Sequence, residues 1–137
     1  MRDERLQAVM SNQPAQSPNQ TILLVDDDPL VLNVTKSLLQ IIGYHVITAN
    51  CPTEALEIAD QVQDEIHLLF TDAMMPEMSG PTLAEKLRCK RPSIKLLIAS
   101  GYPDQEFQES EHNFEFLAKP YTLDALRQKT RLALISE

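Results

Sequence analysis

Carboxylates end two apolar runs of this chain, and a lysine-proline pair ends a third. Residues 22–25, ILLV, lead into Asp26, Asp27 and Asp28, and residues 66–71 lead into Asp72. Residues 114–118 lead into Lys119 and Pro120, and a fourth run, residues 94–99, leads into Ser100. Carboxylates brought close together repel one another, and desolvation adds to the cost. A divalent cation offsets both. Hard oxygen donors suit magnesium, which keeps several waters and binds through one or two carboxylates plus phosphate. An ammonium on a flexible stem meets a phosphoryl oxygen as a point charge, and a hydroxyl can donate to another.

If this site takes the phosphoryl group itself, one carboxylate is the nucleophile. Asp72 stands alone after its run, opposite a pair, Asp26 and Asp27, able to hold the cation. Attack on phosphorus by Asp72 gives an aspartyl phosphate. Charge gathered on the equatorial oxygens of the transition state is then met by the cation, Lys119 and Ser100. The expected donor is a phosphohistidine, and the product is expected to hydrolyse slowly. Asp28 adjoins Pro29 and is read as a helix cap rather than a ligand. The carbonyl of Met74, two residues past Asp72, can complete a metal shell while leaving its side chain free. The Lys119–Pro120 bond is expected to be cis, aiming the lysine inward, with the residue before proline held extended. Blander readings exist for each group: Asp26 and Asp27 as caps, Lys119 as a solvated lysine, Ser100 as a turn residue before Gly101. A cap needs only one of the three acids.

The elements that must position these groups follow from periodicity. Residues 22–25 form a continuous apolar run, as in a central strand covered on both faces. Pro29 opens a helix with Val31, Val34, Leu38 and Ile41 as its apolar spacing, and Gly43 stops it. Residues 44–49 read as a strand. Pro52 opens a helix carrying Ala55, Leu56, Ile58, Ala59 and Val62, and residues 66–71 form the next strand. Pro76, Gly80 and Pro81 make DAMMPEMSGP a long loop, followed by a helix with Leu83, Ala84 and Leu87 that Pro92 closes. Residues 94–99 form a strand, 103–112 a short acidic helix, 114–117 a strand and 121–135 a last helix with Leu123, Leu126, Thr130 and Leu134. Five strand-helix units with short links predict an α/β fold, a parallel sheet between helix layers. Ligands of such sheets lie beyond the carboxyl ends of the strands. Three glycines in all leave little room for a glycine-rich phosphate loop.

Composition narrows the function classes. At 137 residues the chain accommodates one domain. A formal charge of −8 argues against nonspecific nucleic-acid binding. Cys51 and Cys89 form no paired motif and are read as reduced thiols. No apolar run approaches the roughly 20 residues of a membrane span, and the N-terminus has no signal-peptide core, so a cytoplasmic location is expected. Residues 1–20, which include SNQPAQSPNQ, read as a flexible leader or linker, and residues 21–137 as the domain.

Four segments, LLVDDDPLV, LLFTDAMMPEMSG, LLIASGY and FEFLAKPY, occur in that order. Together they closely resemble the response-regulator receiver domains of two-component phosphorelays, over residues 21–135. The resemblance implies a doubly wound, flavodoxin-like five-stranded sheet of order 2-1-3-4-5. It implies that Asp72 is the phosphoacceptor, Asp27 a direct magnesium ligand, Asp26 an acid acting mainly through water and Met74 the carbonyl ligand. Lys119 matches the family lysine, and Ser100 the hydroxyl that turns toward the phosphate. Phe116 matches the aromatic whose rotation reports phosphorylation, and is equally readable as a core aromatic. Implied partners are a histidine kinase or histidine phosphotransfer protein, with a homodimer as a further expectation. Ser-Gly-Tyr after the fourth strand resembles receivers of hybrid sensor kinases. Met74 stands where attacking water would approach, so its bulk is expected to slow self-hydrolysis.

The residues after Pro120 suffice for one helix, so no DNA-binding output is expected in this chain. Such a domain catalyses its own phosphorylation and dephosphorylation but is mainly a signalling switch. Two other functions compete. A receiver-like interaction domain without phosphorylation would be marked by loss of an acid, the lysine or the hydroxyl, and none is lost. An aspartyl-nucleophile phosphohydrolase would use an Asp-x-Asp after the first strand, a spacing that Asp26 to Asp28 contains. The isolated Asp72 and the lack of a substrate-capping domain argue against it.

Overall fold

The computed structural model describes residues 20–101 and 115–135. The expected leader, residues 1–20, and the expected acidic helix, residues 103–112, lie outside the described residues, apart from Gln20. Nine elements follow one another along the described residues: β1 (Thr21–Val25), α1 (Pro29–Ile42), β2 (His45–Ala49), α2 (Pro52–Gln61), β3 (Leu68–Asp72), α3 (Gly80–Lys90), β4 (Lys95–Ser100), β5 (Glu115–Ala118) and α4 (Leu123–Ile135). The five strands form one sheet in the order β2-β1-β3-β4-β5, and every neighbouring pair is parallel. The doubly wound order is the one expected.

Alternation along each strand divides the core in two. Leu23, Val25, Leu69, Leu96, Ile98 and Phe116 pack with residues of α2 and α3. Ile22, Leu24, Leu68, Phe70, Leu97 and Leu117 pack with α1 and α4 on the other face. Burial on both faces explains the unbroken apolar runs of β1, β3 and β4.

Local chemistry sets the helix ends. The Asp28 carboxylate accepts from the backbone N–H groups of Leu30 (2.9 Å) and Val31 (3.4 Å), so Asp28 caps α1, as expected. Gly43 ends that helix at φ +123°, a conformation that L side chains rarely adopt. Two expectations are corrected. The buried stripe of α1 is Thr35 and Leu39, flanked by half-buried Leu32, Leu38 and Ile42, whereas Val34 and Ile41 are exposed. The helix PLVLNVTKSLLQII is apolar on several sides, so two stripes offset by one residue fit its periodicity equally well. Gly80 and Pro81, expected in the loop, form the first turn of α3, with Ser79 accepting from the Thr82 N–H at 3.3 Å. Proline is tolerated there because the first helical N–H groups have no partner within the helix. Strand ends differ from expectation by one or two residues, so that Asp72 and Ser100 close β3 and β4 rather than follow them.

The ends of α2 and α3 are joined through one side chain. The Arg91 guanidinium donates to the carbonyl oxygens of Ala59, Val62 and Asp64. These carbonyls lie at and beyond the C-terminus of α2, where backbone acceptors lack helical partners. Arg91→Ala is expected to destabilise the fold by about 2 kcal/mol in denaturant unfolding. Arg91→Lys should recover less than half of the loss, because one ammonium cannot reproduce a planar fork.

Candidate functional site

Strand register assembles the site. β1 and β3 are neighbours with Val25 opposite Thr71, so Asp26 and Asp72 occupy the next rung on adjacent strand ends. β4 pairs with β3 on the other side, Asp72 opposite Ala99, and Ser100 pairs with Ala118 of β5. The ladder continues past the strands: the Asp26 N–H donates to the Ala49 carbonyl (3.3 Å), Ala73 N–H to Ala99 (2.8 Å) and Lys119 N–H to Ser100 (2.9 Å). Each candidate group therefore leaves a hydrogen-bonded backbone at one edge of the sheet.

One ligand oxygen each of Asp26, Asp27 and Asp72 lies within 4.8 Å of the others. The Lys119 ammonium sits 2.6 Å from Asp72 Oδ1 and 3.8 Å from Asp26 Oδ2. Asp26 is buried, Asp72 is largely so and Asp27 is exposed. The second oxygen of Asp26 accepts from the Asp28 N–H at 2.9 Å, which orients its carboxylate across the turn. Burial raises the pKa of Asp26 above the usual carboxylate value, and the nearby charges of Asp72 and Asp27 act in the same direction. The Asp28 N–H and Lys119 oppose them. For Lys119, burial disfavours the ammonium, but its hydrogen bond to Asp72 and the two carboxylate charges outweigh that and raise its pKa. The result is excess negative charge, one lysine and clustered hard oxygen donors, a donor set that fits a divalent cation of the magnesium type.

The start of α3 supports Asp72 from behind. The Gly80 N–H donates to the Ala73 carbonyl at 2.7 Å. A methyl at Gly80 would overlap the carbonyl oxygen of Asp72, so only glycine allows the helix to approach this closely. The buried Thr71 hydroxyl donates to the same carbonyl at 3.1 Å.

Asp26, Asp27, Asp72 and Lys119, each singled out from sequence, are thus brought together. Ser100 is buried at the end of β4, on the strand beside Asp72. Phe116 is buried in the core facing α2 and α3, opposite Ile98. Met74 is 61% exposed. Lys119–Pro120 is cis, as expected. Sequence reasoning missed Gly80 as a support, and it missed Thr35 and Tyr121, whose hydroxyls meet at 2.7 Å beside the Lys119 loop. A threonine on the buried side of an otherwise apolar helix was the available signal.

A family model for the response regulator receiver domain matches residues 22–131. The chain belongs to that family. Its fold and its carboxylate cluster are those of a receiver phosphoacceptor site, consistent with magnesium-dependent aspartate phosphorylation. Among curated proteins, this receiver is 39% identical over 113 residues to the sensor kinase CckA of Brucella abortus, covering 80% of this chain and 12% of that protein. It is 33% identical over 122 residues to the transcriptional regulatory protein GlrR of Escherichia coli, covering 87% of this chain and 26% of that one. The receiver therefore spans only a fraction of these relatives' lengths. Among solved structures, the receiver domain of the hybrid histidine kinase CckA aligns with TM-score 0.71 and 33% identity, covering 83% of this chain and 98% of that one. TrrA of Thermotoga maritima, solved with Mg(2+)-BeF, aligns with TM-score 0.72 and 28% identity, covering 84% and 99%.

Two outcomes follow from this geometry. Gly80→Ala is expected to cost about 2 kcal/mol, because backbone must shift to relieve the overlap. The raised pKa of Asp26 means that the fold tolerates its protonated form better than its charged form, relative to the unfolded chain. Its contribution to metal-free stability is full below pH 3.8 and is lost as pH rises through its higher folded value. Asp26→Asn should therefore raise metal-free stability at pH 7, measured by urea unfolding, and flatten its pH dependence above 3.8.

Proposed function

We propose that the receiver takes a phosphoryl group onto Asp72 from a histidine kinase or histidine phosphotransfer protein, in a magnesium-dependent reaction. The observation that carries this reading is the Lys119 ammonium at 2.6 Å from Asp72 Oδ1, within the group of three carboxylates. Asp26 and Asp27 would hold magnesium, with Asp72 and the Met74 carbonyl completing the protein ligands. When bound, the ion supplies positive charge to the phosphoryl oxygens and to the attacking carboxylate.

An Asp72 carboxylate oxygen forms the new O–P bond as the P–N bond to the donor imidazole breaks. The imidazole leaves with the electron pair and takes a proton from solvent. Lys119 gives up its contact with Asp72 and follows the negative charge onto a phosphoryl oxygen, and the Ser100 hydroxyl donates to another. Phe116 lies two residues before the end of β5 and serves as the aromatic switch that carries the change to the surface. Such a domain catalyses its own phosphorylation and slow dephosphorylation, and acts chiefly as a signalling switch. Homology to the CckA receiver supports kinase or phosphotransfer partnering. No helix among the described residues is long and apolar enough to cross a membrane.

Incubation with magnesium and acetyl phosphate should add the mass of one phosphoryl group to the intact protein. Asp72→Ala should abolish the adduct, and chelation of magnesium should do the same. Lys119→Ala should slow labelling about a hundredfold. An adduct retained by Asp72→Ala would overturn the assignment. Met74→Asn should shorten the lifetime of the phosphorylated form by opening the approach of water, and an unchanged lifetime would remove Met74 from that role.

A further inference from the structure

Two threonines are buried within helices, and they use their hydroxyls differently. Thr130 in α4 donates to the Leu126 and Arg127 carbonyls of its own helix, at 2.9 and 3.1 Å, a common way to satisfy a buried hydroxyl. Thr35 in α1 is 2% exposed, and its hydroxyl lies 2.7 Å from the Tyr121 hydroxyl, 86 residues away in the chain. Tyr121 follows Lys119 by two residues, across the cis Lys119–Pro120 bond and ahead of α4. Its ring also lies against Phe70 of β3, with centroids 6.0 Å apart and planes tilted by 48°. Phe70 precedes Asp72 by two residues on the same strand.

Tyr121 thus touches three parts of the molecule that each carry a piece of the site. Thr35 belongs to the helix whose capped first turn adjoins Asp26 and Asp27. Phe70 belongs to the strand that ends in Asp72, and Tyr121 itself belongs to the loop that carries Lys119. The Lys119 backbone is held from β4 by the Ser100 carbonyl, and past Pro120 the chain is next held at Tyr121. A ring alone would fill this space. A buried hydroxyl is costly without a partner and directional with one.

We propose that the Thr35–Tyr121 hydrogen bond is a positioning brace for phosphoryl transfer. It fixes the Lys119 loop against α1, so that the ammonium is aimed between Asp26 and Asp72 and can pass to the phosphoryl group without losing its place. Tyr121 and Thr35 are positioning residues: they act through Lys119 and need touch neither ion nor phosphate. The inference rests on the assignment of Asp72 and Lys119 under Proposed function.

The test compares Tyr121→Phe, Thr35→Val and the double variant with wild type, labelled by acetyl phosphate with magnesium and followed by intact mass. Magnesium affinity is measured in parallel by calorimetry. Each single variant should lower the maximal labelling rate about tenfold, since small misplacements of a charged group are costly in rate. Magnesium affinity should stay within about twofold, because the ligand carboxylates are untouched. The double variant should be no slower than either single one, as expected for two ends of one bond. Thr35→Ser keeps the hydroxyl and should restore the rate, which a loss of packing alone would not allow. Wild-type labelling rates in Tyr121→Phe would overturn the brace, as would losses that multiply in the double variant or a failure of Thr35→Ser to recover. Asp72→Ala separates the two levels. If wild type is not labelled, or Asp72→Ala still is, the phosphoacceptor reading fails and the brace fails with it. If Asp72→Ala abolishes labelling while Tyr121→Phe is unaffected, the brace alone fails.

Discussion

The site depends on an electrostatic conflict at one edge of the sheet. Three carboxylates converge within 4.8 Å and a single ammonium lies against two of them, at 2.6 and 3.8 Å. Left to themselves, these acids would favour separation or protonation, and Asp26 does show the raised pKa that burial and like charge produce. The arrangement persists because the backbone leaves it no alternative. Asp26, Asp72 and Lys119 each emerge from a strand end whose hydrogen bonds are already made. A surface with excess negative charge and little room to relax is suited to a cation and then to a phosphoryl group.

What holds that backbone is apolar and lies elsewhere. Both faces of the parallel sheet are covered, by α1 and α4 on one side and by α2 and α3 on the other. The helices also reach the site directly. Asp28 starts α1 immediately after Asp26 and Asp27, and Gly80 brings the first turn of α3 against the carbonyl of Asp72. The same elements that bury hydrophobic surface therefore set the positions of the charges. The nearest anchors of Lys119 in this packing are Tyr121 along the chain and Ser100 across the ladder.

Much of this was legible in the sequence, for physical reasons that differ between elements. The strands were readable because a strand covered on both faces must be apolar at every position, as residues 22–25 are. The role of Asp28 was readable because a cap is a local device, formed within three residues. The buried face of α1 was not. Val31, Val34, Leu38 and Ile41 satisfy helical spacing as well as the stripe around Thr35 and Leu39, and only the partner surface distinguishes them. Gly80 and Pro81 misled for a related reason. Both signal a break in the chain, yet both fit a first helical turn.

By itself the sequence determined which chemistry the molecule can perform. Carboxylates and a lysine placed at the ends of apolar runs come to one edge once those runs become parallel strands, because parallel strands present the same end to the same edge. Their order in the chain, with the family resemblance, also carried the sheet topology. Tertiary structure alone decided how closely packed elements approach one another. The closeness of Gly80 to Asp72, the fork of Arg91 over the end of α2 and the meeting of Thr35 with Tyr121 each depend on the distance between packed elements. Periodicity and capping are set within a few residues of chain. They say which face an element can bury, but not how near that face comes to another, and these last contacts are set by that nearness.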